Sequence, residues 1–187
     1  YSEGEQHYYG CITAMDEQIG RLRRELRKLG IAENTMFWFC SDNGPEGRDG
    51  KTGRYRGSAG PFRGRKRSLL EGGVRVPALL EWPSHIKGGS VTDVACCTSD
   101  YYPTILDILG VKMQNQPEPL DGISLLALIE GRMAERPRPI AFESGNQVSL
   151  VDNRYKIYSR DGGKTFQLFD LINDAGETKD LAAEKPE

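Results

Sequence analysis

Met36-Phe37-Trp38-Phe39-Cys40-Ser41-Asp42-Asn43-Gly44 decides how this chain is read. A continuously apolar run ending in oxygen-bearing side chains suits a strand buried on both faces, as in a sheet covered by helices. The strand is predicted over Thr35 to Ser41. Asp42 and Asn43 then stand at a strand end, where α/β sheets present their sites, and each offers a side-chain oxygen of the kind that hard divalent cations take. An Asx turn leaving the strand explains the same residues without any ligand. Two donors cannot complete a shell of six or more oxygens.

Upstream, Ile12, Met15, Ile19, Leu22, Leu26 and Leu29 are spaced by three and four. That spacing predicts an amphipathic helix from Tyr8 to Leu29, ended by Gly30, with one face on a core and a charged face to solvent. Downstream lies a long loop, Gly44 to Leu69, whose Arg48, Lys51, Arg54, Arg56, Arg63, Arg65, Lys66 and Arg67 outnumber Glu46 and Asp49. Clustered cations attract anionic substrates, and Arg and Lys hold sulfate or phosphate oxygens. A solvated charged loop is the competing reading. Tyr55 and Phe62 suit either a sugar face or a loop anchor.

Glu71-Gly72-Gly73 is expected to turn tightly into a second buried strand, Val74 to Trp82. Tyr101 to Leu109 reads as a helix, with Thr98 and Asp100 as candidate caps, Pro103 in its first turn and Gly110 at its end. A short helix is expected over Ile123 to Ile129. From Arg136 onward, Pro139 to Glu143, Gln147 to Val151, Tyr155 to Ser159 and Phe166 to Phe169 alternate with turn residues and predict a small antiparallel sheet. A terminal helix is expected around Thr178 to Glu184.

The 187 residues carry 25 Lys and Arg against 27 Asp and Glu, a formal net charge of −2 that gives no global nucleic-acid footprint. No apolar stretch is long enough to span a bilayer. Beginning at Tyr1 without an initiator Met, the chain is read as a fragment or processed product, so a missing secretion signal carries no information on compartment. Cys11, Cys40, Cys96 and Cys97 lack zinc-ligand spacing and are read as buried free thiols. His7 and His85 are read as structural.

With these residues in view, the chain resembles the C-terminal half of a type I, formylglycine-dependent sulfatase of the alkaline phosphatase superfamily. The resemblance rests on seven ordered segments, and no single one would be specific. Asp16-Glu17-Gln18-Ile19-Gly20, Asn34-Thr35 through Gly44, and Lys66 to Pro77 come first. Asp100-Tyr101-Tyr102-Pro103-Thr104-Ile105-Leu106 and Leu120-Asp121-Gly122-Ile123-Ser124-Leu125 follow. Tyr155-Lys156-Ile157 and Leu168-Phe169-Asp170-Leu171-Ile172-Asn173-Asp174 complete the series. Gly57 to Pro77 looks most like bacterial enzymes related to the N-acetylgalactosamine-6-sulfatase group.

The resemblance implies an α/β fold: part of a mixed, mostly parallel sheet flanked by helices, with a small C-terminal antiparallel sheet subdomain. Residues 1–135 would belong to the catalytic α/β domain and 136–187 to the subdomain. It implies Asp42 and Asn43 as ligands of Ca²⁺, in preference to Mg²⁺, and Lys66 as the catalytic contact to the substrate sulfate, with Arg65 and Arg63 beside it. Glu71, Gly72, Gly73 and Arg75 look architectural. Leu70 replaces an aromatic residue common in the family and is read as altering the pocket wall. The nucleophile, a formylglycine made within a Cys/Ser-x-Pro/Ala-x-Arg motif, has no counterpart here and is expected upstream, so the chain should be inactive alone. The substrate would be a sulfated carbohydrate or aryl sulfate ester, and the family implies a periplasmic or secreted setting. A non-catalytic anion-binding module or pseudoenzyme, and a phosphatase or phosphonate hydrolase of the same superfamily, are the alternatives.

Overall fold

The computed structural model describes residues 1–46, 57–116 and 118–185. Helix α1 (Glu3–Lys28) starts earlier than the periodicity predicts, because the Glu5 carboxylate accepts hydrogen bonds from the Ser2 amide (2.7 Å) and hydroxyl (2.9 Å). It ends as expected at Gly30, whose φ of +70° suits a residue without Cβ. The core-facing role expected for its apolar stripe is not met within the described residues. No residue of α1 is buried, and Ile12, Met15 and Leu22 lie on its exposed side. What fastens α1 is polar: the Arg23 guanidinium meets the Glu81 carboxylate through two hydrogen bonds of 2.6 and 2.8 Å.

Strands β1 (Phe37–Cys40) and β2 (Ala78–Glu81) pair antiparallel, Phe37 opposite Glu81 and Cys40 opposite Ala78. Both were expected to be buried on two faces. Instead every residue of β1 is half-exposed and Ala78 and Leu79 are exposed, since a two-stranded ribbon has few neighbours to cover it. Trp38 is covered on one side by Tyr101, their rings stacked at 4.3 Å. The parallel pairings expected of the larger sheet are not among those of the described residues.

Helix α2 (Glu71–Val74) is a single helical turn at the tight turn expected over Glu71-Gly72-Gly73, and β2 after it is shorter than the predicted Val74 to Trp82. Adjacent glycines allow the helical turn to pack backbone against backbone. Helix α3 (Tyr101–Leu109) matches its prediction and stops at Gly110, φ +62°. Asp100 does not cap α3 through its side chain. Its carboxylate is fully buried, accepts the Cys97 and Ile123 amides, and takes a two-pronged contact of 2.7 and 2.8 Å from Arg136. Helix α4 (Leu126–Ile129) is shorter than its prediction.

Strands β3 (Ile140–Ser144), β4 (Gln147–Val151), β5 (Tyr155–Ser159) and β6 (Gln167–Asp170) form the predicted antiparallel sheet, in sequence order. The terminal helix is absent. Asp180 accepts the Leu168 and Ala182 amides and holds that stretch as turns against β6. The core gathers Leu69, Leu70, Ile140, Val151, Tyr158, Phe169 and Leu171, with Phe169 wholly inaccessible. Leu70 therefore packs in the core. The four thiols are free, but none is buried: Cys11 and Cys96 are exposed, Cys40 and Cys97 half-buried. No helix is long and apolar enough to cross a membrane, among the residues described.

The turns of this sheet are held by carboxylates. Asp161 accepts from the Thr165 hydroxyl and amide and from the Ser159 hydroxyl, which together hold it well below the usual carboxylate range. Asp170 is held down first by Arg154 and then by Asn173. A carboxyl depressed in the folded state adds stability above its ordinary pKa and loses it as pH falls. Unfolding free energy should therefore drop on acidification below about pH 4, and the drop should be smaller in Asp161→Asn and Asp170→Asn. Equal acid sensitivity in urea titrations of all three proteins would contradict this.

Candidate functional site

Ser41-Asp42-Asn43-Gly44 leaves β1 as a turn in which the Ser41 hydroxyl donates to Asn43 O (3.1 Å) and the Asn43 amide donates to Gly44 O (3.0 Å). Asp42 is exposed, and among the described residues its carboxylate has no hydrogen-bond or ion-pair partner. Asn43 uses its NH₂ within the turn, which leaves Oδ1 as an acceptor.

Gly44 is where this turn meets the rest of the molecule. Its amide donates to Gly73 O at 2.9 Å, and a Cβ at Gly44 would stand 1.8 Å from Gly72 O. Gly72 and Gly73 are as tightly enclosed on their other side. A Cβ on Gly72 would lie 2.4 Å from Gly64 O, and one on Gly73 2.0 Å from Ser68 O. Three backbone segments, Ser41–Glu46, the loop after Gly57, and α2, are thus in direct contact, and only glycine admits that approach.

The loop is held in register by further bonds. Lys66 N–H donates to Pro45 O (3.0 Å) and Gly72 N–H to Arg63 O (2.6 Å). The Arg65 guanidinium donates to Glu46 O and Gly57 O, each at 2.9 Å. The Arg63 guanidinium donates to Glu177 O (2.6 Å) and lies over the Phe169 ring. Arg67 takes a left-handed φ of +75°, while its carbonyl accepts from the Gln147 amide. Arg75 lies over the Phe62 ring, so Phe62 anchors the loop. Lys66 is half-buried, and its ammonium stands 4.0 Å from the Glu46 carboxylate, which also pairs with Arg67. Asp42, Asn43 and Lys66 are therefore carried on directly bonded backbone segments. Arg65 binds the loop's own carbonyls, whereas Arg63 ties the loop to the carbonyl of Glu177. Arg48, Lys51, Arg54, Tyr55, Arg56 and Asp49 lie outside the described residues.

Beneath the loop is a cluster that sequence reasoning missed. Lys156 and Glu177 are fully buried and Glu71 nearly so, with the ammonium 2.9 Å from both carboxylates. Glu177 also accepts the Glu71 amide (2.7 Å), and Glu71 accepts from Arg75 Nε (2.5 Å). Burial pushes the Glu177 carboxyl up, against the opposing pull of Lys156 and the Glu71 amide. The available signal was a lysine at an inward position of β5, sharing a face with buried Tyr158. His7 is solvent-exposed on α1 and His85 stacks on Trp82.

Among the described residues no three His, Cys, Asp or Glu side chains converge into a metal cage. Asp42 and Asn43 could supply only part of a cation's shell.

The chain belongs to the sulfatase family: the family model "Sulfatase" matches residues 5–111, and "N-sulphoglucosamine sulphohydrolase, C-terminal" matches residues 60–187. It is 33% identical to a sulfatase of Formosa agariphila over 96% of this chain and 36% of that protein. It is 36% identical to the N-acetylgalactosamine-6-sulfatase of Sus scrofa over 81% of this chain and 28% of the relative. The crystal structure of Ps i-CgsB superposes with a TM-score of 0.82 at 27% identity, covering 98% of this chain and 40% of the other. The chain thus spans about a third of the length of these curated relatives.

Because a Cβ at Gly44 would collide with a backbone oxygen, Gly44→Ala must displace α2 or the Asp42–Asn43 turn. It should cost about 1–3 kcal/mol in urea unfolding. Gly88→Ala, at a position with no neighbour within 4 Å, should cost far less. Equal costs would show that the contact does not constrain the fold.

Proposed function

We propose that this chain is the C-terminal portion of a sulfuric ester hydrolase, supplying two ligands for a divalent cation and one contact to the substrate sulfate. The observation that carries the reading is the bonding of the Lys66 segment to the Asp42–Asn43 turn through Lys66 N–H to Pro45 O and Gly44 N–H to Gly73 O. Family membership supports the reaction class, and the free oxygens of Asp42 and Asn43 support a hard cation.

Asp42 Oδ and Asn43 Oδ1 would hold Ca²⁺ in preference to Mg²⁺, because an exposed turn offers the adaptable geometry that calcium accepts and magnesium does not. A cation bound there supplies Lewis-acid polarisation of a sulfate oxygen. Lys66 places its ammonium against the charge that grows on the sulfuryl group and the leaving oxygen as the S–O bond breaks. Glu46 restrains the lysine stem from one side. Arg63 and Arg65 keep the loop backbone under the anion and add to its positive field. No Cys/Ser-x-Pro/Ala-x-Arg motif stands in the sequence, so these residues bind sulfate and do not attack it. The nucleophile, a formylglycine, comes from elsewhere in the protein, and the isolated chain is inactive. Substrates are sulfated carbohydrates or aryl sulfates, encountered in a periplasmic or secreted setting; nucleic acid is not a partner.

In the complete protein, Lys66→Ala should lower aryl sulfate hydrolysis by about 100- to 1,000-fold, and Asp42→Ala should raise the calcium needed for half-maximal rate. Unchanged turnover in both variants would refute the assignment. The isolated 187 residues should bind calcium weakly and release no sulfate; turnover by them would mean that the chain holds its own nucleophile.

A further inference from the structure

The proposed chemistry makes no use of Lys156, yet this ammonium is fully buried between the carboxylates of Glu71 and Glu177, 2.9 Å from each. Burying such a cluster is costly, and well-packed apolar side chains of similar volume commonly serve stability as well or better. Direction is what the ionic version adds. Glu177 Oε2 accepts the Glu71 amide at the start of α2, and the Glu177 carbonyl accepts the Arg63 guanidinium, three residues before Lys66 in the basic loop. One residue therefore grips both elements, while itself held in a left-handed conformation, φ +55°. From α2 the path to the site is short. Gly72 N–H binds Arg63 O, and Gly73 O receives Gly44 N–H, next to Asn43.

We propose that Lys156 and Glu177 are positioning residues for the Asp42–Asn43–Lys66 site, setting the attitude of α2 so that the cation ligands and the sulfate-binding loop stay in register. The assignment rests on the function proposed above. It makes the C-terminal sheet part of the site's geometry.

The molecule contains its own control. Asp100–Arg136 is a second buried, two-pronged ion pair, and it shares no hydrogen bond with the Ser41–Glu46 turn or the lysine loop among the described residues. Lys156→Met/Glu177→Leu and Asp100→Leu/Arg136→Met each replace one buried pair with apolar volume. In the complete protein, the first should raise the Ca²⁺ concentration for half-maximal sulfate release by about tenfold, as loss of the partners behind metal ligands does elsewhere. It should also speed hydrogen exchange at the Gly44 and Lys66 amides together. The second should leave both readings in place. Glu177→Asp keeps the charge but withdraws the carboxylate by one methylene, and should speed the same two amides without the apolar swap. Glu177→Gln keeps the length and an acceptor oxygen, and should retain their protection. Unchanged exchange at Gly44 in both Lys156→Met/Glu177→Leu and Glu177→Asp overturns the proposal, as does equal acceleration in the Asp100–Arg136 variant. Absence of calcium-dependent sulfate release from the unsubstituted protein would fail the proposed function instead, and amide exchange alone then decides the positioning role.

Discussion

The close approach of main chain to main chain, Gly44 against Gly72 and Gly73, is the constraint on which the candidate site depends. A hydrogen bond of 2.9 Å from Gly44 N–H to Gly73 O joins the turn after β1 to α2. That bond forms only because all three residues lack a Cβ. Through it the oxygen donors of one segment and the lysine of another occupy fixed positions, even though the exposed ribbon of β1 and β2 supplies little packing of its own. Leu69 and Leu70 then bury the end of the basic loop in the core of the C-terminal sheet. The loop is thus pinned at its glycine contact and at its apolar end, with Lys66 between the two.

Buried charge performs a second task. Asp100–Arg136 ties the entry of α3 to the segment around Ile123, and Glu71–Lys156–Glu177 ties α2 to the C-terminal sheet. Neither cluster is an economical way to gain stability, since desolvation offsets much of the attraction. On the proposal made above, the second orients α2, whose Gly73 carbonyl accepts the Gly44 amide beside Asn43.

Much of the C-terminal sheet was legible in the sequence because turn residues and two-residue alternation are local signals: β4 and β5 fall where Gln147–Val151 and Tyr155–Ser159 were read. Helix α3 was legible for the same reason, with Gly110 marking its end. Asp42, Asn43 and Lys66 were read together as one site, but the backbone bonds that join their segments were not legible, since they link residues far apart in sequence. Val74–Trp82 looked like one strand because apolar content does not mark where pairing with β1 begins and ends, and only Ala78–Glu81 pairs. The thiols and the α1 stripe were expected to be buried because apolar patterning says that a face seeks cover without saying what covers it. Glu177 carried no local signal; its partners lie 106 and 21 residues away in the chain, at Glu71 and Lys156.

The most direct measurement is an anomalous-scattering map of the complete protein crystallised with calcium and a sulfate ester. The account predicts a cation about 2.3–2.6 Å from an Asp42 carboxylate oxygen and from Asn43 Oδ1, with the Lys66 ammonium on an oxygen of the same sulfate. A cation bound away from that pair, with Lys66 directed into solvent, would contradict it.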